Sequence, residues 1–119
     1  VHSLFGENPA PDLVEKATDS MVQCPPEVYR AAVKCLVGFD RRTELSRIRT
    51  PTFLVTGDQD TLAPPKMMEK MAAKITDSRF QSLKGAGHLA SLEQAEKFNE
   101  LLLEFINRHA DTPVTDRNL

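Results

Sequence analysis

The sequence predicts an α/β layer architecture, and three observations carry that prediction. The hydrophobic pattern changes period near residue 52. Helical spacing gives way there to a short, nearly unbroken apolar run, Thr52-Phe53-Leu54-Val55-Thr56, which is how a strand covered on both faces of a parallel sheet reads. From there to residue 106 the pattern alternates strand, helix, strand, helix, as parallel strands joined by crossover helices do. Each strand also runs into a glycine-containing polar turn, Gly57-Asp58-Gln59-Asp60 and then Gly85-Ala86-Gly87-His88.

In chain order, residues 1–11 contain Gly6, Asn8, Pro9 and Pro11 and read as loop. Asp12 is placed to cap a helix running to Val22, with Leu13, Val14, Ala17 and Met21 at helical spacing. Cys24-Pro25-Pro26 breaks the chain, and Pro26 suits the first turn of a second helix, where a missing N–H costs nothing. Val28, Ala31, Ala32, Cys35 and Leu36 share its inner face, and Gly38 ends it. A helical turn is expected from Arg42 to Arg47, with Leu45 and Ile48 facing inward. Pro64-Pro65 opens a helix through Ile75, its Met67, Met68, Met71, Ala72 and Ile75 filling core rather than lining a cofactor site. Arg79 to Lys84 is the second strand, with Phe80, Ser82 and Leu83 as candidates for burial. The last helix is expected from Leu92 to Arg108, with Phe98, Leu101, Leu102, Phe105 and Ile106 on one face. Asp111 to Leu119 reads as a frayed polar tail. The division is therefore cap helices over residues 1–38, a core portion over 39–109 and a tail over 110–119.

Composition removes several classes of function. A length of 119 residues fits one domain, and 40% hydrophobic with 27% charged residues is a globular balance. Fifteen Lys and Arg against 17 Asp and Glu leave a net charge of −2, without the basic excess of an electrostatic nucleic-acid binder. No apolar run approaches the roughly 20 residues of a membrane-spanning helix. Cys24 and Cys35 cannot build a disulfide framework and read as packed thiols in a reducing, cytoplasmic setting. The chain opens on Val1 rather than Met, with no charged-then-apolar leader, so we expect a processed or partial chain without a signal peptide.

Ligands of open α/β sheets bind beyond the carboxyl ends of the strands. Asp58 and Asp60 follow the first strand and His88 follows the second, so parallel strands bring a carboxylate and an imidazole to one edge. A carboxylate beside a histidine fixes its tautomer and stabilises its protonated form, as a general base requires. The bland readings are a loop histidine with no role and an aspartate doing turn chemistry. No His, Cys and Asp cluster has metal-ligand spacing, and no cofactor is implied.

The strand Thr52–Thr56 with Gly57 and Asp60, followed by Gly85-Ala86-Gly87-His88, resembles the C-terminal part of the α/β-hydrolase fold. In that family a strand ends in Gly-x-x-Asp with the triad acid, and the triad histidine follows the last strand. The resemblance puts Asp60 in the acid position and His88 in the base position, 28 residues apart and in the order Ser, Asp, His. Asp58 falls two residues early. Ile48-Arg49-Thr50-Pro51 matches the family's Ile-x-x-Pro lead into the acid-bearing strand. His88-Leu89-Ala90-Ser91-Leu92-Glu93-Gln94 is similar to the His-Leu-x-x-x-Glu-Gln run of 3-oxoadipate enol-lactonase-like hydrolases, and Pro26-Glu27-Val28-Tyr29 to their last cap helix.

The resemblance implies a serine hydrolase of an ester or lactone carbonyl, a small-molecule substrate, and no cofactor. It gives Met21, Tyr29 and Leu89 as candidate substrate contacts under the lid, with core packing as the plainer role for Met21 and Tyr29. Glu93 is read as acting on the dipole of the final helix, and His2 and His109 as solvated. The departure is the nucleophile. None of Ser3, Ser20, Ser46, Ser78, Ser82 and Ser91 lies in a Gly-x-Ser-x-Gly elbow. The expectation is an incomplete domain whose serine and oxyanion hole come from a missing N-terminal portion. That portion, or a second copy, is expected to pair with the open edge of strand 52–56. The same outline also serves C–C bond hydrolases and cofactor-free haloperoxidases, and a non-catalytic interaction or oligomerisation module is the reading from a different class.

Overall fold

The computed structural model describes residues 1–110, so the expected tail from Asp111 to Leu119 lies outside the described residues. Two strands, β1 (Thr52–Gly57) and β2 (Ser78–Leu83), lie parallel in register, with Thr52 opposite Ser78 and Gly57 opposite Leu83. A parallel pair cannot be closed by a hairpin, and helix α3 (Pro65–Ala72) supplies the crossover. The side chains of β1 alternate. Phe53 and Val55 pack toward Leu83, Ala86, Ala90 and Leu101. Leu54 packs on the opposite face with Ala72 and Ile75, flanked by Leu45, Ile48, Met68, Met71 and Phe80. The sheet is thus covered on both faces, and burying a leucine side chain there contributes about 1.5–3 kcal/mol. Among the described residues only β2 pairs with β1, which leaves the other edge of β1 without a strand neighbour.

Several elements differ from the expectation for physical reasons. Helix α1 (Pro11–Val22) starts two residues early, with Ala10 rather than Asp12 as its N-cap. Pro11 takes the first helical position, and Asp12 sits in the first turn, 3.5 Å from Lys16, rather than capping. Helix α2 (Pro26–Leu36) forms as expected and is followed by Gly38 at φ 80°. It buries none of its residues, because no element of the described chain covers its apolar face. Cys35 is therefore exposed, not packed, and Cys24 is half-buried. The expected turn at 42–47 is a 3-10 turn over Leu45–Arg47.

Helix α3 ends at Ala72, and Ile75 is buried just beyond it. Met67, expected inside, is 51% exposed. It borders an open cleft of about 630 Å³ shared with Phe39, Leu45 and Met71. Of the residues proposed for burial on β2, Leu83 is buried while Phe80 and Ser82 are half-buried. The final helix is two: α4 (Ala90–Glu93) and α5 (Ala95–His109), separated at Gln94 where φ is −127° and ψ 47°. On α5, Leu101 is buried and Phe105 stacks on Phe53 at 5.4 Å. Leu102 and Ile106 remain exposed, since two strands offer this helix only a narrow surface. His109 is half-buried rather than solvated, its ring 4.5 Å from that of Phe105 and its Nδ1 donating to the Phe105 carbonyl at 2.8 Å. The first residues are more than loop. They contain a 3-10 turn, His2–Leu4, and a buried Phe5.

Candidate active site

Strand β1 delivers Asp60 three residues past its end, and β2 delivers His88 after the turn Gly85-Ala86-Gly87. Because the strands are parallel, both turns leave the same edge of the sheet. The turns meet at close range. A Cβ on Gly57 would run into the carbonyl oxygens of Ala86 and Gly87, so only glycine lets the acid turn approach the base turn this closely. Two hydrogen bonds join them: Gln59 N–H to the Ala86 carbonyl at 2.9 Å, and Gly85 N–H to Asp58 Oδ1 at 2.7 Å. Asp58 is thus a turn residue and takes no part in the Asp60–His88 pair.

The Asp60 side chain is 4% exposed and its two oxygens have separate duties. Oδ1 accepts the N–H groups of Leu62 at 2.8 Å and Ala63 at 2.9 Å. Oδ2 faces Nδ1 of His88 at 2.9 Å. Thr56 Oγ1 lies 3.3 Å from that oxygen and donates more closely to the Ala63 carbonyl, at 2.9 Å. Burial works against the charged form of Asp60. The Ala63 and Leu62 amides and the His88 ring outweigh it, so the carboxyl titrates below its ordinary value. An ionised carboxylate can only accept, so the Nδ1 of His88 carries the proton. The Nε2 lone pair is then the basic site on a side chain that is 43% exposed. Chemically, the arrangement is an oriented general base with its carboxylate partner.

The other candidate residues lie elsewhere. Leu89 is half-buried beside His88 at the start of α4, and its N–H donates to the Leu4 carbonyl at 3.0 Å. Met21 and Tyr29 are exposed, at 41% and 54%, on α1 and α2, so neither packs in a core within the described chain. A cleft of about 500 Å³ beside the acid turn is lined instead by Phe5, Gly6, Gln59 and Thr61 among others. Among the described residues no group of three His, Cys, Asp or Glu is arranged to hold a metal ion, and none of the helices is long and apolar enough to cross a membrane.

Sequence reasoning missed the part played by Glu93. Its carboxylate is taken up by two backbone amides of other segments. Oε1 accepts the Gly6 N–H and Oε2 the Gly87 N–H, both at 2.8 Å. The position of Glu93 five residues past His88 was visible, but its partner Gly6 is 87 residues away and no local pattern points to it.

Comparison with known proteins places this geometry in context. A family model described as the alpha/beta hydrolase fold matches residues 2–95. Pimeloyl-(acyl-carrier protein) methyl ester esterase of Neisseria meningitidis serogroup A is 33% identical over 103 residues, covering 87% of this chain and 31% of the relative. The 3-oxoadipate enol-lactonase 1 of Acinetobacter baylyi is 30% identical over 95 residues, covering 80% of this chain and 35% of that protein. Among solved structures, a thermophilic esterase from Thermogutta terrifontis superposes with a TM-score of 0.76 at 32% identity, over 82% of this chain and 36% of that one. The chain spans about a third of the length of these relatives.

Proposed function

The chain belongs to the α/β-hydrolase family, and on that premise we propose that it carries the acid and the base of a serine hydrolase acting on an ester or lactone carbonyl. The observation that supports this most is the 2.9 Å contact between His88 Nδ1 and the buried Asp60 carboxylate. The relatives named for methyl ester and enol-lactone hydrolysis supply the substrate class.

In this reading a serine outside these 119 residues attacks the carbonyl carbon. His88 Nε2 takes the serine proton as the new C–O bond forms, and the carbonyl oxygen becomes an oxyanion. The resulting imidazolium returns its proton to the departing alcohol or enol oxygen as the tetrahedral intermediate collapses to an acyl-enzyme. Water then attacks the acyl carbon and gives a proton to His88 Nε2; the second tetrahedral intermediate collapses by breaking the bond to the serine oxygen, which takes that proton back as the carboxylic acid leaves. Asp60 stays ionised throughout and holds the ring in the Nδ1–H tautomer. Its lowered pKa suits that duty. The oxyanion hole and the serine elbow come from the N-terminal portion of the same hydrolase, which also pairs with the open edge of β1. Helices α1 and α2 act as a lid, with Met21, Tyr29 and Leu89 along the acyl chain. Two free thiols suit a reducing, cytoplasmic location.

The test is an assay with a p-nitrophenyl ester. The purified 119-residue chain should not exceed the buffer rate, whereas a hydrolase polypeptide joining a Gly-x-Ser-x-Gly elbow to it should turn over. Turnover by the chain alone would overturn the assignment of the nucleophile. A second reading, a non-catalytic interaction module, draws on the exposed apolar face of α2 and the unpaired edge of β1. It prevails if the joined polypeptide is folded and inert.

A further inference from the structure

His88 is held from both sides along the backbone, by the Glu93 carboxylate on one side and by segment 4–7 on the other. The residue before it, Gly87, donates its N–H to Glu93 Oε2 at 2.8 Å. The residue after it, Leu89, donates to the Leu4 carbonyl at 3.0 Å. The second oxygen of Glu93 accepts the N–H of Gly6, two residues past Leu4, also at 2.8 Å. Between these two contacts Phe5 is buried, and its backbone lies where a Cβ on Gly87 would fall. Segment 4–7 continues to the acid side as well, where the Glu7 N–H donates to Gln59 Oε1 at 2.6 Å, one residue before Asp60.

We propose that Glu93 is a positioning residue for the Asp60–His88 pair, acting by clamping segment 4–7 across the turn that carries His88. This rests on the acid–base reading of that pair and adds to it the group that sets the ring's approach to the carboxylate. The chemistry calls for a carboxylate. Two N–H donors converge on the two oxygens of one side chain, and an amide of the same shape would offer one acceptor and turn its NH₂ toward the other donor. Glutamine at this position therefore frees either Gly87 or Gly6. Freed, the turn lets the ring move off Asp60 Oδ2, and displacements of about 1 Å remote from the reacting atoms can cost roughly 10²-fold in rate. The clamp also makes a mechanical link, since segment 4–7 leads through Pro9 directly into α1.

The experiment compares Glu93→Gln with the unsubstituted hydrolase polypeptide, elbow included, and uses His88→Ala as the reference. We expect a folded E93Q protein with kcat lowered about 10- to 100-fold and KM within about twofold. In the 119-residue chain, the downfield Nδ1–H proton resonance of His88 should be lost on the same substitution. An unchanged kcat overturns the proposal, and so does a lower kcat with the Nδ1–H resonance unmoved. If E93Q does not fold, hydrogen exchange of the unsubstituted chain decides. Gly6, Gly87 and Leu89 amides exchanging together support the clamp, and Gly87 exchanging independently of Gly6 overturns it. The two readings fail differently. Full activity in H88A removes the acid–base assignment itself, whereas an inactive H88A beside a normal E93Q removes only the role of Glu93.

Discussion

Helices α2 and α5 both carry an apolar face, and only α5 has its partner within the described residues. On α5, Leu101 is buried against Leu83, Ala86 and Ala90, Phe98 packs beside it, and Phe105 stacks on Phe53. On α2 and just beyond, Val28, Tyr29, Val33, Leu36 and Val37 are all exposed, by 41% to 79%. An amphipathic pattern defines a face and says nothing about which surface will cover it. The α5 face meets a sheet that this chain itself provides. The α2 face needs something more, consistent with the proposal that these helices form a lid over a larger hydrolase.

Substitutions in the ordered core and in α2 separate the two helices. The largest effect belongs to the ordered side. In the hydrolase polypeptide, His88→Ala should lower kcat/KM by roughly 10⁴-fold or more, measured by steady-state ester hydrolysis. Next is packing. Leu83→Ala or Leu101→Ala should cost the 119-residue chain about 2–5 kcal/mol in urea unfolding. Leu36→Ala in α2 should stay within about 0.5 kcal/mol, and a loss above 2 kcal/mol there would break the contrast between the two helices.

A smaller, pH-dependent effect attaches to Asp60. Its carboxyl has a lower pKa folded than unfolded. The stabilisation it brings is therefore present above the unfolded value of about 3.9 and lost as pH falls through the lower folded value. Asp60→Asn should flatten the fall in stability across that acidic window, as read by urea unfolding at a series of pH values. An unchanged acid slope would mean that the carboxylate is not held as described. The smallest effect is expected from Tyr29→Ser. It should leave the stability of the 119-residue chain within about 0.5 kcal/mol and raise KM of the hydrolase polypeptide with kcat unchanged. No change in KM would remove Tyr29 from the lid contacts.

What could be read from the residues follows the same division. The strands, their parallel order and the meeting of Asp60 with His88 were legible because each rests on local signals: an apolar run, a glycine-bearing turn, and a chain order that fixes which ends coincide. The break at Gln94 was not legible, since the apolar spacing runs on through it. The burial of Phe5 escaped notice because its neighbours Gly6, Asn8 and Pro9 signal a loop, while its packing partner, the turn at Gly87, is remote in sequence. The exposure of Met67 and Cys35 was hidden for the opposite reason. Their spacing is that of buried residues, and the described chain supplies nothing to cover them.

The span of the Glu93 clamp also sets what it costs the chain to close it. The Asp60–His88 contact closes a loop of 28 residues, and the Gly6–Glu93 contact closes one of 87. Loop-closure entropy grows with the logarithm of length, so the longer closure costs about 1 kcal/mol more. The pairing of acid and base is thus the cheaper contact in chain entropy, and the fastening of His88 by Glu93 the dearer one, the more exposed of the two to anything that loosens segment 4–7.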